Sequence, residues 1–275
     1  MLQTSSHIPV SRRGFLAGAL SLAGAPLVAA MPGQAPSWTT YAERLSERLT
    51  DAGGGKFDPD FAQALLTETN TTRLQEGLDA LQWDEGFAIA ARAHVADMFS
   101  RGYFEHQSPE GFGHVDRVAL LNRDFCGQTT ENLAWRSNQS QATHPKKIQA
   151  MWEASAGHRE NLLDPTSRRA GFGAVRIGGT IYVAGVYGDV AVRLGQALPF
   201  VLRSREELDA VIATATPHIE RLSLTPPRTR ATWMMQPGQA LPALGDGVWQ
   251  LRPLRMSGET RYQVLAGPLF QMGLG

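Results

Sequence analysis

The chain has 275 residues, and its 26 Lys and Arg balance 26 Asp and Glu for a formal net charge of +0, so no nucleic-acid partner is expected. Hydrophobic residues at 43% and charged residues at 19% exclude a mostly disordered chain, because apolar burial can offset chain entropy. Cys126 is the single cysteine, which excludes an internal disulfide and a multi-cysteine zinc cluster.

At the N-terminus Ser11-Arg12-Arg13-Gly14-Phe15-Leu16 opens an apolar stretch, Phe15 to Ala30, that lacks Asp, Glu, Lys and Arg. Arg12 and Arg13 ahead of such a stretch give the pattern of a twin-arginine export signal, with cleavage expected before Met31. The stretch contains Gly18, Gly24 and Pro26 and is shorter than the roughly 20 residues of a bilayer span, although an uncleaved anchor is the alternative. Residues 1–30 are thus expected to be removed, leaving a periplasmic or extracellular protein with no stable membrane span. They hold two arginines and no acids, so cleavage leaves a slightly acidic protein.

Residues 31–60 read as a lead-in, with a short helix from Ser37 to Leu49 broken by Gly53-Gly54-Gly55. A helix follows from Phe61, with Asn70 and Arg73 on a side away from its leucines. Asp84 can cap a second helix whose Phe87, Ala90, Ala91, His94, Val95 and Met98 recur at three and four, and Gly102 stops it. His94 on that stripe reads as a packed, hydrogen-bonded core histidine. A third helix is predicted over Pro145 to Ala156, then a helical turn from His158 to Leu163 stopped by Asp164-Pro165.

Gly171 to Ile177, Gly178-Gly179 and Thr180 to Tyr187 read as a hairpin, since glycines supply the positive φ of a tight turn. Ile181, Val183 and Tyr187 point one way and Tyr182, Ala184 and Val186 the other, as in a strand covered on both faces. The expected class is α+β, a three-layer α-β-α sandwich over residues 61–190. A small C-terminal extension of unassigned fold, residues 191–275, carries a helix near Glu206 to Ala215, the prolines Pro226, Pro227, Pro237 and Pro242, and strands around Trp249 and Val264.

Three stretches place polar residues in core-like surroundings: Phe104-Glu105-His106-Gln107-Ser108-Pro109, Thr130-Glu131-Asn132-Leu133-Ala134, and Trp152 through Ser155 to Gly157-His158-Arg159. Two imidazoles and a carboxylate that converge would suit a zinc ion with one open position. Spacing does not show convergence, because His106 and Glu131 are read on separate loops and no HExxH is present. Asn132 and Trp152 read as structural, His114 and His144 as solvated loop residues, and Cys126 as a small buried hydrophobe.

In order, Asn70 with Arg73, Leu81-Gln82-Trp83-Asp84, Ala91 to Met98, Phe104 to Pro109, Glu131 to Ala134, Trp152 to Ser155, Gly157 to Leu163 and Gly171-Phe172-Gly173 form a series that resembles the CAP superfamily. That superfamily comprises the cysteine-rich secretory, antigen 5 and pathogenesis-related proteins, and the likeness is to its bacterial branch. The resemblance implies a central groove lined by two histidines and two acidic residues. His106, Glu131 and His158 match three of them, and Ser155 stands where many members have the second acid.

The resemblance further implies that His106 and His158 hold a divalent cation, Zn²⁺ or another, with Glu131 orienting an imidazole or binding metal water; a metal-free hydrogen-bonded network is the alternative. A further reading makes Ser155 a nucleophile activated by His158, although no GxSxG elbow surrounds it. Two functions follow. One is a binding protein whose groove of His106, Glu131, Ser155 and His158 takes a lipid, peptide or glycan fragment or another envelope component. The other is a metal-dependent hydrolase using His106, Glu131 and His158, and binding is preferred because function follows the site and not the fold.

Overall fold

The structure, a computed structural model, describes residues 37–137, 143–229, 234–239, 247–258 and 261–273. The export signal with Arg12 and Arg13 lies outside the described residues, as does Pro242. In chain order the elements are α1 (Trp38–Thr50), β1 (Lys56–Phe57), α2 (Pro59–Gln75), β2 (Gln82–Trp83), α3 (Glu85–Arg101), α4 (His114–Leu121), β3 (Phe125–Ser137), α5 (Pro145–Glu153), α6 (Ala156–Leu162), β4 (Arg169–Ile177) and β5 (Thr180–Arg193). The C-terminal part adds β6 (Val201–Leu202), α7 (Arg205–Ala213), β7 (Leu222–Thr225), β8 (Val248–Met256), β9 (Tyr262–Val264) and β10 (Leu269–Met272).

The first sheet runs β1-β4-β5-β3, with β2 added to β4. The β4–β5 hairpin turns where expected, with Ile177 opposite Thr180 and Gly178 at φ +52°. Alternation along β5 sends Ile181, Val183 and Tyr187 into a core with Ile148 and Trp152 of α5 and Phe61 and Leu65 of α2. It sends Ala184 and Val186 into a second core with Phe87, Ala91 and Val95 of α3. Helices therefore cover both faces, which makes the sheet the middle layer of an α-β-α sandwich.

Helix α3 forms where its signals predict: Asp84 Oδ1 accepts from Phe87 N at 3.0 Å, and Gly102 ends it in the left-handed region. It lies close on β4 because Gly171 and Gly173 present no side chain to it. Arg73, fully buried in α2, donates to the carbonyls of Asp79, Leu162, Asp164 and Ser167 and so ties α2 to the turn before β4.

Strand β3 is the last strand of its sheet, and its outer edge is covered group by group. Gly127 exchanges both backbone bonds with Ala266, at 2.8 and 2.9 Å. His114 Nε2 donates to Thr129 O at 2.9 Å, Asn161 Nδ2 to Glu131 O at 3.1 Å and Trp152 Nε1 to Leu133 O at 3.0 Å. Alternate carbonyls face outward on an edge strand, and these partners satisfy four in succession, which blunts the edge against pairing with another chain.

Ahead of the sandwich, α1 buries Tyr41 and Leu45, and β1 pairs with β4, so both are built into the fold. The C-terminal extension forms a second sheet in the order β6-β10-β8-β7, with β9 beside β8. Its core of Leu208, Leu251, Leu265 and Phe270 takes in Cys126, Val192 and Leu194 from β3 and from the end of β5 and the residue after it. Cys126 is fully buried there, and burial pushes its thiol up, as suits a small hydrophobe.

Candidate functional site

The site is built on Glu131. Although expected on a loop, this residue lies inside β3, opposite Val186, with its side chain 1% exposed. Arg117, on the inner face of α4, donates Nη2 to Glu131 Oε2 at 2.7 Å. His106 Nδ1 lies 3.0 Å from Oε1. Burial by itself would raise the carboxyl, but Arg117 and the imidazoles of His94 and His106 hold it well below the usual carboxylate range. An ionised carboxylate can only accept, so His106 carries a proton on Nδ1 and donates it to Glu131. The ring is about half exposed, and with Gln107, His114, Thr130 and Asn161 it lines an open cavity of about 530 Å³.

His94 supports the same point from below. It is fully buried on α3, as expected, and its Nε2 donates to Glu105 O at 3.0 Å, fixing the residue before His106. The same Nε2 is 4.0 Å from Glu131 Oε1. Burial first, and the nearby Arg117 charge second, push the His94 imidazole down to about 3. It is therefore neutral in the fold, whereas unfolding lets it bind a proton below about pH 6.5. Its contribution to stability is full above that pH and is lost as pH falls towards the folded value, at about 1.4 kcal/mol per pH unit. Urea titrations from about pH 7 to 5 are expected to show this slope and His94→Gln to flatten it. An unchanged slope in that variant would remove His94 as its source.

His158 lies at the start of α6, half-buried, with its carbonyl accepting from Asn132 Nδ2 at 2.9 Å. Burial lowers its pKa and the His106 imidazole lowers it further. Asn132 is fully buried and also accepts from Asn161 Nδ2 at 2.9 Å, so one amide bridge joins β3 to α6. Ser155 caps α6 by position without a side-chain cap bond, and no hydrogen bond among the described residues joins its hydroxyl to His158. The structure thus brings His106 and Glu131 into direct contact and sets His158 near enough to feel the His106 charge.

Zinc is the ion that the resemblance implies for this donor set. Both oxygens of Glu131 are engaged, by Arg117 and His106, and no group of three or more His, Cys, Asp or Glu among the described residues is placed to hold a metal ion. A zinc site takes at least three protein ligands. The residues present do not fit that group.

Arg117, His114 and Asn161 complete the site; Asn161 lies in the Gly157–Leu163 stretch, whereas nothing in the sequence surroundings of Arg117 and His114 marks them for it. His114, expected to be solvated in a loop, begins α4 and donates to the edge of β3; burial lowers its pKa. His144 is exposed before α5, in keeping with its reading.

Residues 66–187 match the model of the cysteine-rich secretory protein family, CAP. The chain is 36% identical over 118 residues to the uncharacterized protein YkwD of Bacillus subtilis (strain 168), covering 43% of this chain and 44% of that protein. It is 30% identical over 128 residues to the uncharacterized membrane protein YlbC of the same organism, covering 46% of this chain and 35% of that protein. The matched stretch thus spans less than half the length of either curated relative. Among solved structures, an outer surface protein from Borrelia burgdorferi aligns at 16% identity and TM-score 0.44, covering 50% of this chain and 98% of that one. An extracellular protein containing an SCP domain from Bacillus anthracis aligns at 27% identity and TM-score 0.40, covering 48% of this chain and 41% of that one.

Proposed function

We propose, from the match of residues 66–187 to the CAP family model, an exported binding protein whose groove beside His106, Glu131 and His158 holds a small organic ligand. The observation that carries this reading is the buried Glu131, which holds the half-exposed His106 ring through Nδ1 at the wall of the cavity. A polar anchor in a cavity of about 530 Å³ is the usual build of a small-molecule site. No helix among the described residues is long and apolar enough to cross a membrane. Native mass spectrometry of the chain purified from its own host is expected to show a bound organic mass that His106→Ala lacks; the same bare mass in both would overturn the reading.

Export rests on Arg12 and Arg13. Replacing both with Lys is expected to leave the uncleaved precursor inside the cell, read by immunoblot of cell fractions, and undiminished export would refute a twin-arginine route.

The Glu131–His106 pair also favours a second reading. A carboxylate-held imidazole can take a proton from water, and the site would then hydrolyse an envelope substrate without a metal. Turnover in a peptidase and esterase screen that vanishes in His106→Ala would replace binding with catalysis.

A further inference from the structure

The His106 groove does not end at the CAP domain. A second cavity of about 460 Å³ shares Val115 and Thr130 with it and is closed on its far side by the C-terminal sheet, through Arg255 of β8 and Gln263 and Val264 of β9. The Gly127–Ala266 backbone bridge and an Arg255–Asp189 ion pair at 2.8 Å hold that wall in place. Its size falls within the roughly 300–1,000 Å³ of small-molecule sites.

The lining selects a chemistry. Its charges are already settled: Arg255 pairs with Asp189, and the Asp164 carboxylate accepts from Thr166 N and Oγ1 and from Ser167 Oγ. What remains for a ligand is neutral and able both to donate and to accept, namely the amides of Gln128 and Gln263 and the hydroxyls of Thr129 and Thr130. Thr130 Oγ1 is buried and has no hydrogen-bond partner among the described residues. A buried hydroxyl left unpaired costs stability, and a bound ligand group would satisfy it. A fatty acyl chain would leave these groups unpaired, and a charged headgroup would find no free counter-charge.

We propose that this junction cavity is a second subsite, made jointly by the CAP domain and the C-terminal sheet, for an uncharged sugar unit of a glycan that continues past His106. The proposal rests on the groove being a ligand site, and it assigns the C-terminal sheet the role of closing and specifying that site.

Calorimetric titration of the full chain with chitotetraose, an uncharged acetamido sugar, is the test, with palmitate and trialanine as comparison probes. Chitotetraose is expected to bind, and Gln263→Ala and Thr130→Val each to weaken it by about ten-fold or more, the loss of one good hydrogen bond. Gln263 is half-buried at the rim, so its truncation leaves the core intact even if Thr130→Val disturbs folding. Binding that is lost in His106→Ala but unchanged by both junction variants would overturn the subsite while leaving the groove. Binding of palmitate or trialanine in place of chitotetraose would overturn the sugar assignment alone. No binding of any probe would sink both readings.

Discussion

Arg117→Met is expected to lower the unfolding free energy by about 3–5 kcal/mol, the usual cost of stranding one partner of a buried ion pair. Arg117 is 1% exposed, and it does more than face Glu131. Its guanidinium also donates to the carbonyls of His106 and Phe112, each at 3.1 Å, and so holds the turn between α3 and α4 against the sheet. Burial alone would make the guanidinium easier to deprotonate, but Glu131 more than offsets this and raises its pKa. Without Arg117 the Glu131 carboxylate is left in the core with His106 alone, and it will draw a proton at higher pH. The acceptor that fixes His106 Nδ1–H then fails, so ligand binding should fall with stability. Glu131→Gln reaches a similar loss from the other side by leaving a buried cation unmatched. The double variant Arg117→Met/Glu131→Gln should cost less than the two single losses added together, because no charge remains to be buried. Urea unfolding of the four proteins checks this; a loss below about 1 kcal/mol in Arg117→Met would show that the pair does not hold the turn.

The sequence made legible what depends on near neighbours. Asp84 and Gly102 bound α3 because a cap and a left-handed stop act within one turn, and Gly178-Gly179 placed the hairpin because a tight turn is a two-residue event. The polar run Thr129-Thr130-Glu131-Asn132 breaks the alternation that marks a strand, so β3 reads as a loop from sequence. Its polarity comes from the site: Glu131 is buried with Arg117, and Asn132 with Asn161 and the His158 carbonyl. Arg117 itself looks like any polar residue of an amphipathic helix, since nothing local shows that its side of α4 meets a carboxylate. In the C-terminal extension the strands around Trp249 and Val264 are legible as β8 and β9, but their assembly into a sheet is not. β6 has two residues, and its parallel partner β10 begins nearly seventy positions later, so Val201 finds Gln271 only through tertiary packing. The CAP resemblance supplied the groove residues but stopped before that sheet.

Gly171→Ala and Gly173→Ala are each expected to destabilise the chain by at least about 3 kcal/mol, the top of the usual overpacking range or beyond. A Cβ on Gly171 would stand 2.2 Å from Ala88 N and 2.6 Å from Asp84 O, and one on Gly173 would stand 2.4 Å from Arg92 N and 2.5 Å from Ala91 C. These neighbours are backbone atoms of α3 and its cap, so no change of rotamer relieves the contact. The helix has to lift away from β4. That movement reaches the site, because α3 carries His94, whose Nε2 fixes the Glu105 carbonyl next to His106. Both variants should therefore lose ligand binding before they lose secondary structure. Gly157→Ala is the control: it is an exposed position within α6, with nothing within 4 Å of the added methyl, and it should change stability by no more than about 1 kcal/mol, in the stabilising direction. Equal melting temperatures for Gly157→Ala and Gly171→Ala would mean that the close approach of α3 to β4 is not what holds the helix carrying His94 in place.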